Sequence, residues 1–180
     1  KADPAAGELL VEAYSRIADS KRELKQPVDP ALKDIVTAFS QSGQQPGSFA
    51  AERAAKAQFT LVDKTAADFD KFAISPGKPP TLKAYVDGVK AQIEAGAKQA
   101  KTKAESYNDL PPYRRPTWTI AAFVRQGRIY EILAKAVLNT PFVVPADLQQ
   151  KMKGLPDYAK DDIKVQIEDA IRQLLDQQVR

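Results

Sequence analysis

The acidic residues are the first candidates for chemistry, because two carboxylates placed across a glycosidic bond can act as general acid and base. They form one group between residues 52 and 70 and another between residues 157 and 162. Neither group adjoins a cleft-forming loop or an aromatic platform. The second group is placed where its carboxylates would stabilise the N-terminal turn of a helix. We therefore expect no enzyme. The residues are Glu52, Asp63, Asp68, Asp70, Asp157, Asp161 and Asp162.

The composition excludes several kinds of active site. The chain of 180 residues contains no Cys and no His. Thiol nucleophiles, Ser-His dyads and zinc sites with the usual ligands are therefore excluded. No Gly-rich phosphate-binding loop is present either. We expect no catalytic, cofactor-binding or metal-binding residue and no cofactor.

The basic residues suggest a different function, because the formal net charge is +4. A predicted helix and the turn after it carry a group of cations that would suit nucleic acid or an anionic cell-surface polymer. Asp87 and Glu94 reduce the positive charge of this helix, and no aromatics alternate with its lysines. A solvated helix face is therefore the simpler interpretation of these lysines. The candidate polyanion-binding residues are Lys98, Lys101, Lys103, Arg114 and Arg115.

Aromatic residues beside prolines form the third candidate site. Tyr107 and Tyr113 precede the predicted fifth helix, and Phe142 follows it. Exposed, they would make a docking edge for a peptide of a partner protein. Buried, they would staple the turns to the core.

Apolar residues recur at steps of three and four along most of the chain, which predicts an all-α fold. Pro and Gly separate about six to seven helices, expected as an antiparallel bundle or a tetratricopeptide-like α-solenoid. We expect one domain over residues 1–180, or a fragment of a longer repeat protein, with a possible internal break at 74–81. The predicted helices cover about residues 5–25, 30–40, 49–72, 81–107, 116–140, 145–152 and 159–179.

Two further expectations concern the chain as a whole. No apolar run approaches the ~20 residues of a membrane span. The sequence starts at Lys1 without Met, as expected for a processed or excised piece of a longer protein.

The fifth helix carries a charge on its apolar face. Trp118, Ala122 and Arg125 share this face. An unpaired buried charge is costly, so Arg125 should pair with a carboxylate. The candidate partners on the preceding helices are Glu105, Asp63 and Asp68. The alternative is a ligand-binding arginine. Gly127 costs about 1 kcal/mol relative to Ala, and we expect another helix to approach closely there.

The order of residues in this helix resembles a block in tetratricopeptide-repeat envelope proteins of myxobacteria and their relatives. The similarity covers roughly residues 50–178, including the Ala-rich segment 51–72, and corresponds to the region after the repeats. Some members belong to the gliding-motility apparatus. The resemblance implies that the block is a fold-signature core, comprising Trp118, Ala121, Ala122, Arg125, Gly127, Tyr130, Ala134 and Leu138.

The resemblance implies a non-catalytic helical scaffold or adaptor in a cell-envelope assembly. Its partners would be other envelope proteins, and its location periplasmic or outer-membrane-associated, with a cytoplasmic location still open. The groove for a partner helix or peptide is expected on the third, fourth and fifth helices. The alternative is a basic helical module that binds nucleic acid or an anionic cell-surface polymer.

Overall fold

The computed structural model describes residues 4–179, apart from the side chains of residues 4, 170, 172 and 174–179. All regular elements in this range are helices, which confirms the all-α prediction. Three 3-10 helices lie at Ala67–Lys71, Ser106–Asp109 and Pro111–Tyr113. The seven α-helices of the described range are α1 (Pro4–Glu23), α2 (Asp29–Gln41), α3 (Phe49–Ala66), α4 (Leu82–Glu105), α5 (Pro116–Leu138), α6 (Ala146–Lys151) and α7 (Asp157–Val179).

Local sequence signals explain most helix ends. Ser48 caps α3, because its side chain accepts a hydrogen bond of 3.2 Å from the Ala51 amide. Residues 72–81 are not helical, as their prolines require. The predicted third helix is too long, since its last turn tightens into the 3-10 helix Ala67–Lys71. Within residues 4–179, no helix has the length and apolarity to cross a bilayer.

The chain divides into two compact units. Unit 1 contains the described residues up to Lys71 together with Ala100–Ile132, and unit 2 contains Phe72–Gln99 with the described residues from Leu133 onward. One boundary lies at the proline-rich segment, near the expected break. The others fall inside α4 and α5, where the helix continues unbroken across the boundary.

The core of unit 1 is built from small side chains on α1, α2 and α3. Six alanines of α3 are at most 1% exposed: Ala50, Ala51, Ala54, Ala55, Ala57 and Ala66. Short side chains allow neighbouring helices to approach closely, and the larger Val11, Leu32 and Ile35 fill the remaining space. The close approach of these helices therefore depends on methyl groups rather than on long apolar side chains.

The orientation of α1 differs from the sequence expectation. Helical spacing predicts a buried stripe of Leu9, Leu10, Ala13, Tyr14 and Ile17. Tyr14 does pack against the core, but Leu9, Leu10 and Ile17 are 70%, 46% and 44% exposed. The buried face instead carries Val11 and Ser15, together with other small residues. Because α3 presents mainly alanine, the small face of α1 fits closely against it, and Leu32 and Ile35 of α2 fill the space that remains.

The core of unit 2 joins α4 to the segments on either side of it. Tyr85 and Val89 are buried with Ile74. The Tyr85 hydroxyl donates a hydrogen bond of 3.2 Å to the Pro141 carbonyl, and its ring meets that of Phe142 edge-on at 5.8 Å. These contacts tie the segment before α6 to α4.

Candidate functional site

Helix α5 is apolar on two faces, and only one of them is buried. Within unit 1, Ala122 and Ile129 on the inner face are 1% and 0% exposed. On the other side, Ile120, Phe123 and Val124 are 61%, 57% and 67% exposed. An ordinary surface helix exposes a polar face, so the outer face of α5 is unusual.

Arg125 lies at the edge of the inner face, with its side chain 16% exposed. Its Nε donates to Asp63 Oδ1 at 2.6 Å, and its Nη1 and Nη2 donate to the two oxygens of Asp70 at 2.8 Å each. The Tyr107 hydroxyl donates to the same Asp63 oxygen at 2.8 Å. The guanidinium is thus held by two carboxylates of its own unit, as a structural ion pair requires.

One predicted partner of Arg125 is confirmed and two are wrong. Asp63 is a partner, whereas Asp68 receives Lys103 at 2.6 Å and Glu105 lies 3.9 Å from Lys101. The bidentate partner is Asp70, which was not among the partners predicted from helical periodicity. It lies in the 3-10 helix Ala67–Lys71, where the helical period changes and a face projected from α3 no longer applies.

The electrostatics of this network favour its charged, hydrogen-bonded form. Hydrogen bonds from Arg125 hold the pKa of the Asp70 carboxyl below its ordinary value. Burial, together with the Asp63 carboxylate, raises the pKa of the Tyr107 hydroxyl far above its ordinary value. Hydrogen bonds to Asp70 and Asp63 likewise raise the pKa of Arg125. The Asp70 carboxyl is therefore held in its ionised form by Arg125, as in a structural ion pair.

The lowered pKa of Asp70 predicts how stability depends on pH. Because the folded pKa is below the unfolded value of about 3.9, ionised Asp70 stabilises the fold above that value and the contribution disappears as pH falls through the folded pKa. Asp70→Asn should therefore reduce the free energy of unfolding at neutral pH, by an amount that shrinks towards zero in acid. Urea unfolding across this range measures it. Asp161→Asn is the control, and an equal pH dependence of the two variants would contradict the assignment.

Four residues of the expected fold-signature core are buried or partly buried in unit 1. Trp118 Nε1 donates to Glu52 Oε1 at 2.7 Å, and the indole lies 5.5 Å from the Phe59 ring, centroid to centroid. Ala122 is buried, and Ala121 is partly buried. These residues, with Arg125, fix α5 against α3.

The other half of the signature is wrong as a core prediction. Tyr130 and Leu138 are 49% and 78% exposed, and Ala134 is also exposed. A Cβ placed on Gly127 would meet no atom of the described residues within 4 Å beyond its own helix, so no other helix of that part of the chain approaches there. These residues lie across the helix axis from Ala122 and Ile129. Helical spacing correctly placed Trp118, Ala122 and Arg125 on the inner face, whereas Tyr130, Ala134 and Leu138 were expected in the core only from the resemblance.

The predicted docking edge needs correction at Tyr107. This residue is 0% exposed because its ring fills the core of unit 1 and its hydroxyl binds Asp63. Tyr113 is partly buried against Phe39, with ring centroids 5.4 Å apart, and Phe142 is partly buried in unit 2 against Tyr85. All three aromatics contribute to packing, as the stapling alternative describes.

Several predicted polyanion-binding cations already have acidic partners. Lys103 donates to Asp68 at 2.6 Å and to the Thr65 carbonyl at 2.8 Å. Arg115 pairs with Glu52 and donates to the Gly47 carbonyl at 2.8 Å. Lys98, Lys101 and Arg114 are exposed. Internal pairing reduces the positive potential that Lys103 and Arg115 offer to an anionic polymer.

The remaining candidate is the exposed apolar surface of α5 in unit 1, here called the α5 outer stripe: Ile120, Phe123, Val124, Gly127 and Tyr130. Its members recur at steps of three and four, so they lie along one side of the helix. Contiguous exposed apolar surface on a protein is typical of an interaction site. No protein-family model, curated protein or solved structure matches this chain.

Proposed function

We propose that this protein is a non-catalytic helical adaptor whose α5 outer stripe binds a helix of a partner protein. The observation that carries the proposal is the exposure of Ile120, Phe123 and Val124, each more than half exposed in the middle of a long helix. Their burial in a complex would remove apolar area from water and favour association. Arg125 and Trp118 hold the opposite side of α5 in place, so the stripe is presented on a fixed element.

The spacing of the stripe favours a helical partner. A partner helix packs along a row of side chains at three- and four-residue steps. Gly127 lies in the middle of this row, where it costs about 1 kcal/mol relative to Ala. A Cβ placed there would meet no other helix among the described residues. A glycine there lets a partner backbone come closer than a larger side chain would. Its presence therefore supports close helix packing in a complex.

The proposed location and partner class rest on the resemblance to envelope proteins of myxobacteria and their relatives. On that basis the partner is another protein of a cell-envelope assembly, with the gliding-motility apparatus as one example. The adaptor would be periplasmic or associated with the outer membrane. The polyanion alternative has less support, because Lys103 and Arg115 are engaged by carboxylates of this chain.

The proposal predicts that partner capture depends on the α5 outer stripe. Phe123→Ser should weaken capture of proteins from a lysate of the source organism by about 30-fold or more, as expected for a hot-spot residue. The change removes an exposed side chain, so the melting temperature should stay close to that of the unmodified chain. Capture is measured at low and high salt, with the recovered species identified by mass spectrometry.

Val165→Ser is a matched control, because Val165 is 57% exposed on α7 in unit 2. It should leave capture unchanged. Recovery of nucleic acid alone, lost at high salt, would favour the polyanion module instead. Protein capture that survives Phe123→Ser would show that the adaptor uses another surface.

A further inference from the structure

Helix α1 carries a second row of exposed apolar side chains, outside the core of unit 1. Leu10 and Ile17 are nearly half exposed, and Leu24 is 67% exposed. Leu24 follows the last residue of α1, but its amide still donates to the Ser20 carbonyl at 3.0 Å, so it continues the helical path. The three residues, here called the α1 row, lie seven positions apart and therefore share one side of the helix.

The α1 row has the form of a surface that receives another helix. Ala13 and Ser20 lie between its large members and are exposed. These small residues leave gaps into which the side chains of a packed helix can enter, as in a coiled coil. A seven-residue repeat also suits the shallow crossing angle of left-handed helix pairs.

The α1 row is symmetric about its middle residue. Leu10 precedes Ile17 by seven residues, and Leu24 follows it by seven. An antiparallel second copy centred on Ile17 would place Ile17 against Ile17, and each Leu10 against Leu24 of the other copy. The same patch then serves both copies, as a two-fold dimer requires. This self-complementary spacing favours a second copy of the chain over an unrelated helix.

The charges beside the α1 row fit the antiparallel arrangement. Arg16 and Glu23 are exposed on one flank of the row, and Glu23 has no ion-pair partner among the described residues. In an antiparallel pair this flank faces the same flank of the other copy. Helical side chains lean towards their own N-terminus, which brings Arg16 of one copy towards Glu23 of the other. In a parallel pair Arg16 would instead face Lys21, and the two cations would repel.

Arg16 can change partners at little cost. Its side chain is 79% exposed and bonds Glu12 one turn earlier at 2.8 Å. Exposed pairs of this kind contribute little to stability. Glu12 also pairs with Arg53 of α3, so it keeps a cation when Arg16 turns towards a second copy.

We propose that this protein forms an antiparallel two-fold dimer through the α1 row, with Ile17 on the axis. The row is about 21 Å long at 1.5 Å per residue, so the pair buries less than the ~800 Å² per copy of a standard interface. The dimer should therefore be weak, with a dissociation constant of about 10–100 μM. The proposal is independent of the α5 outer stripe, which lies on another helix.

Sedimentation velocity of the full chain between about 10 μM and 1 mM measures the association. Ile17→Asp places two like charges on the axis and should weaken the dimer by about 30-fold or more. Val165→Asp is the matched control, because Val165 is an exposed β-branched residue within α7. It should leave the dimer unchanged, as should Phe123→Ser. A chain that stays monomeric, or a dimer that survives Ile17→Asp, would overturn the proposal, and loss with Phe123→Ser would assign the association to the α5 outer stripe.

A charge exchange tests the antiparallel contact separately from folding. Glu23→Arg should weaken the dimer about five-fold, because Arg16 then faces another arginine. The monomer should become slightly more stable, since a cation suits a helix C-terminus. Arg16→Glu should weaken its own dimer likewise, whereas an equimolar mixture of the two variants should associate as a heterodimer with both charge pairs restored. A mixture that associates no better than either variant alone would exclude this arrangement.

Spin labels determine the orientation, and a chain without Cys allows a single label at a chosen site. Glu8→Cys and Asp19→Cys are suitable, because both positions are exposed on α1. Antiparallel helices centred on Ile17 separate the two Glu8 sites by about 27 Å along the axis and the two Asp19 sites by about 6 Å. Parallel helices give no axial separation at either site, so equal label distances at the two positions would overturn the antiparallel dimer.

Discussion

Replacing Arg125 with Ala is expected to lower the free energy of unfolding by about 2–3 kcal/mol. The change removes a largely buried guanidinium that joins α5 to Asp63 and to both oxygens of Asp70. Removing one partner of a buried ion pair typically costs more, about 3–5 kcal/mol. Here the two carboxylates are 40% and 43% exposed and can regain water, so the loss is smaller. Urea unfolding followed by circular dichroism measures it.

Arg128→Ala is the matched control on the same helix. Arg128 is 50% exposed and pairs with Glu131 one turn away, at 2.7 Å. Such surface pairs contribute less than about 1 kcal/mol, so this variant should remain close to the unmodified chain. If Arg125→Ala were equally harmless, Arg125 would not be what holds α5 to its neighbours.

The second large effect is expected from Gly7→Ala, with a loss of about 2 kcal/mol. Alanine is the better helix former by about 1 kcal/mol, so propensity alone predicts a gain. The added Cβ, however, would lie 2.3 Å from Ser42 Cβ and 3.1 Å from Ser42 Cα. Backbone cannot turn aside as a long side chain can, so α1 must move away from the end of α2. Thermal unfolding gives the size and sign of the change.

Gly127→Ala is the matched control, because the same chemical change is expected to raise the free energy of unfolding rather than lower it. No atom lies within 4 Å of the new methyl group, and the position is inside a helix. This variant should gain about 0.5–1 kcal/mol from propensity. A gain at both glycines would mean that α1 is not held tightly against Ser42.

The helices could be predicted from the sequence because their signals are local. Prolines, the Ser48 cap and apolar steps of three and four are each read within a few residues. The faces could not be predicted in the same way. On α1 both the Leu9 side and the Val11 side satisfy a helical period, and the neighbouring helices decide between them. Those neighbours are rich in alanine, so they select the side with the smaller residues.

The candidate site shows the same division between local and tertiary information. The need for an acidic partner of Arg125 follows from its position on an apolar face, and Asp63 was among the predicted partners. The pairing of Asp70 with Arg125 could not be predicted, because Asp70 lies in a 3-10 helix, whose period differs from that of an α-helix. Gly127 and Tyr130 of the α5 outer stripe were expected in the core, because the resemblance places them in the fold signature and apolar side chains fit a core as well as an interface. Only their exposure distinguishes the two.

The alanine face of α3 limits how this protein can change over evolutionary time. A core of leucine and phenylalanine tolerates substitution, because a smaller residue at one position can be compensated by a larger one next to it, which keeps the total volume. Alanine side chains in close helix contact cannot become smaller to make room for a larger neighbour. Almost every replacement of such an alanine adds atoms to a space that is already filled. Random substitutions of the buried alanines between residues 50 and 57 therefore tend to overpack the core of unit 1. This stretch should diverge slowly between descendants.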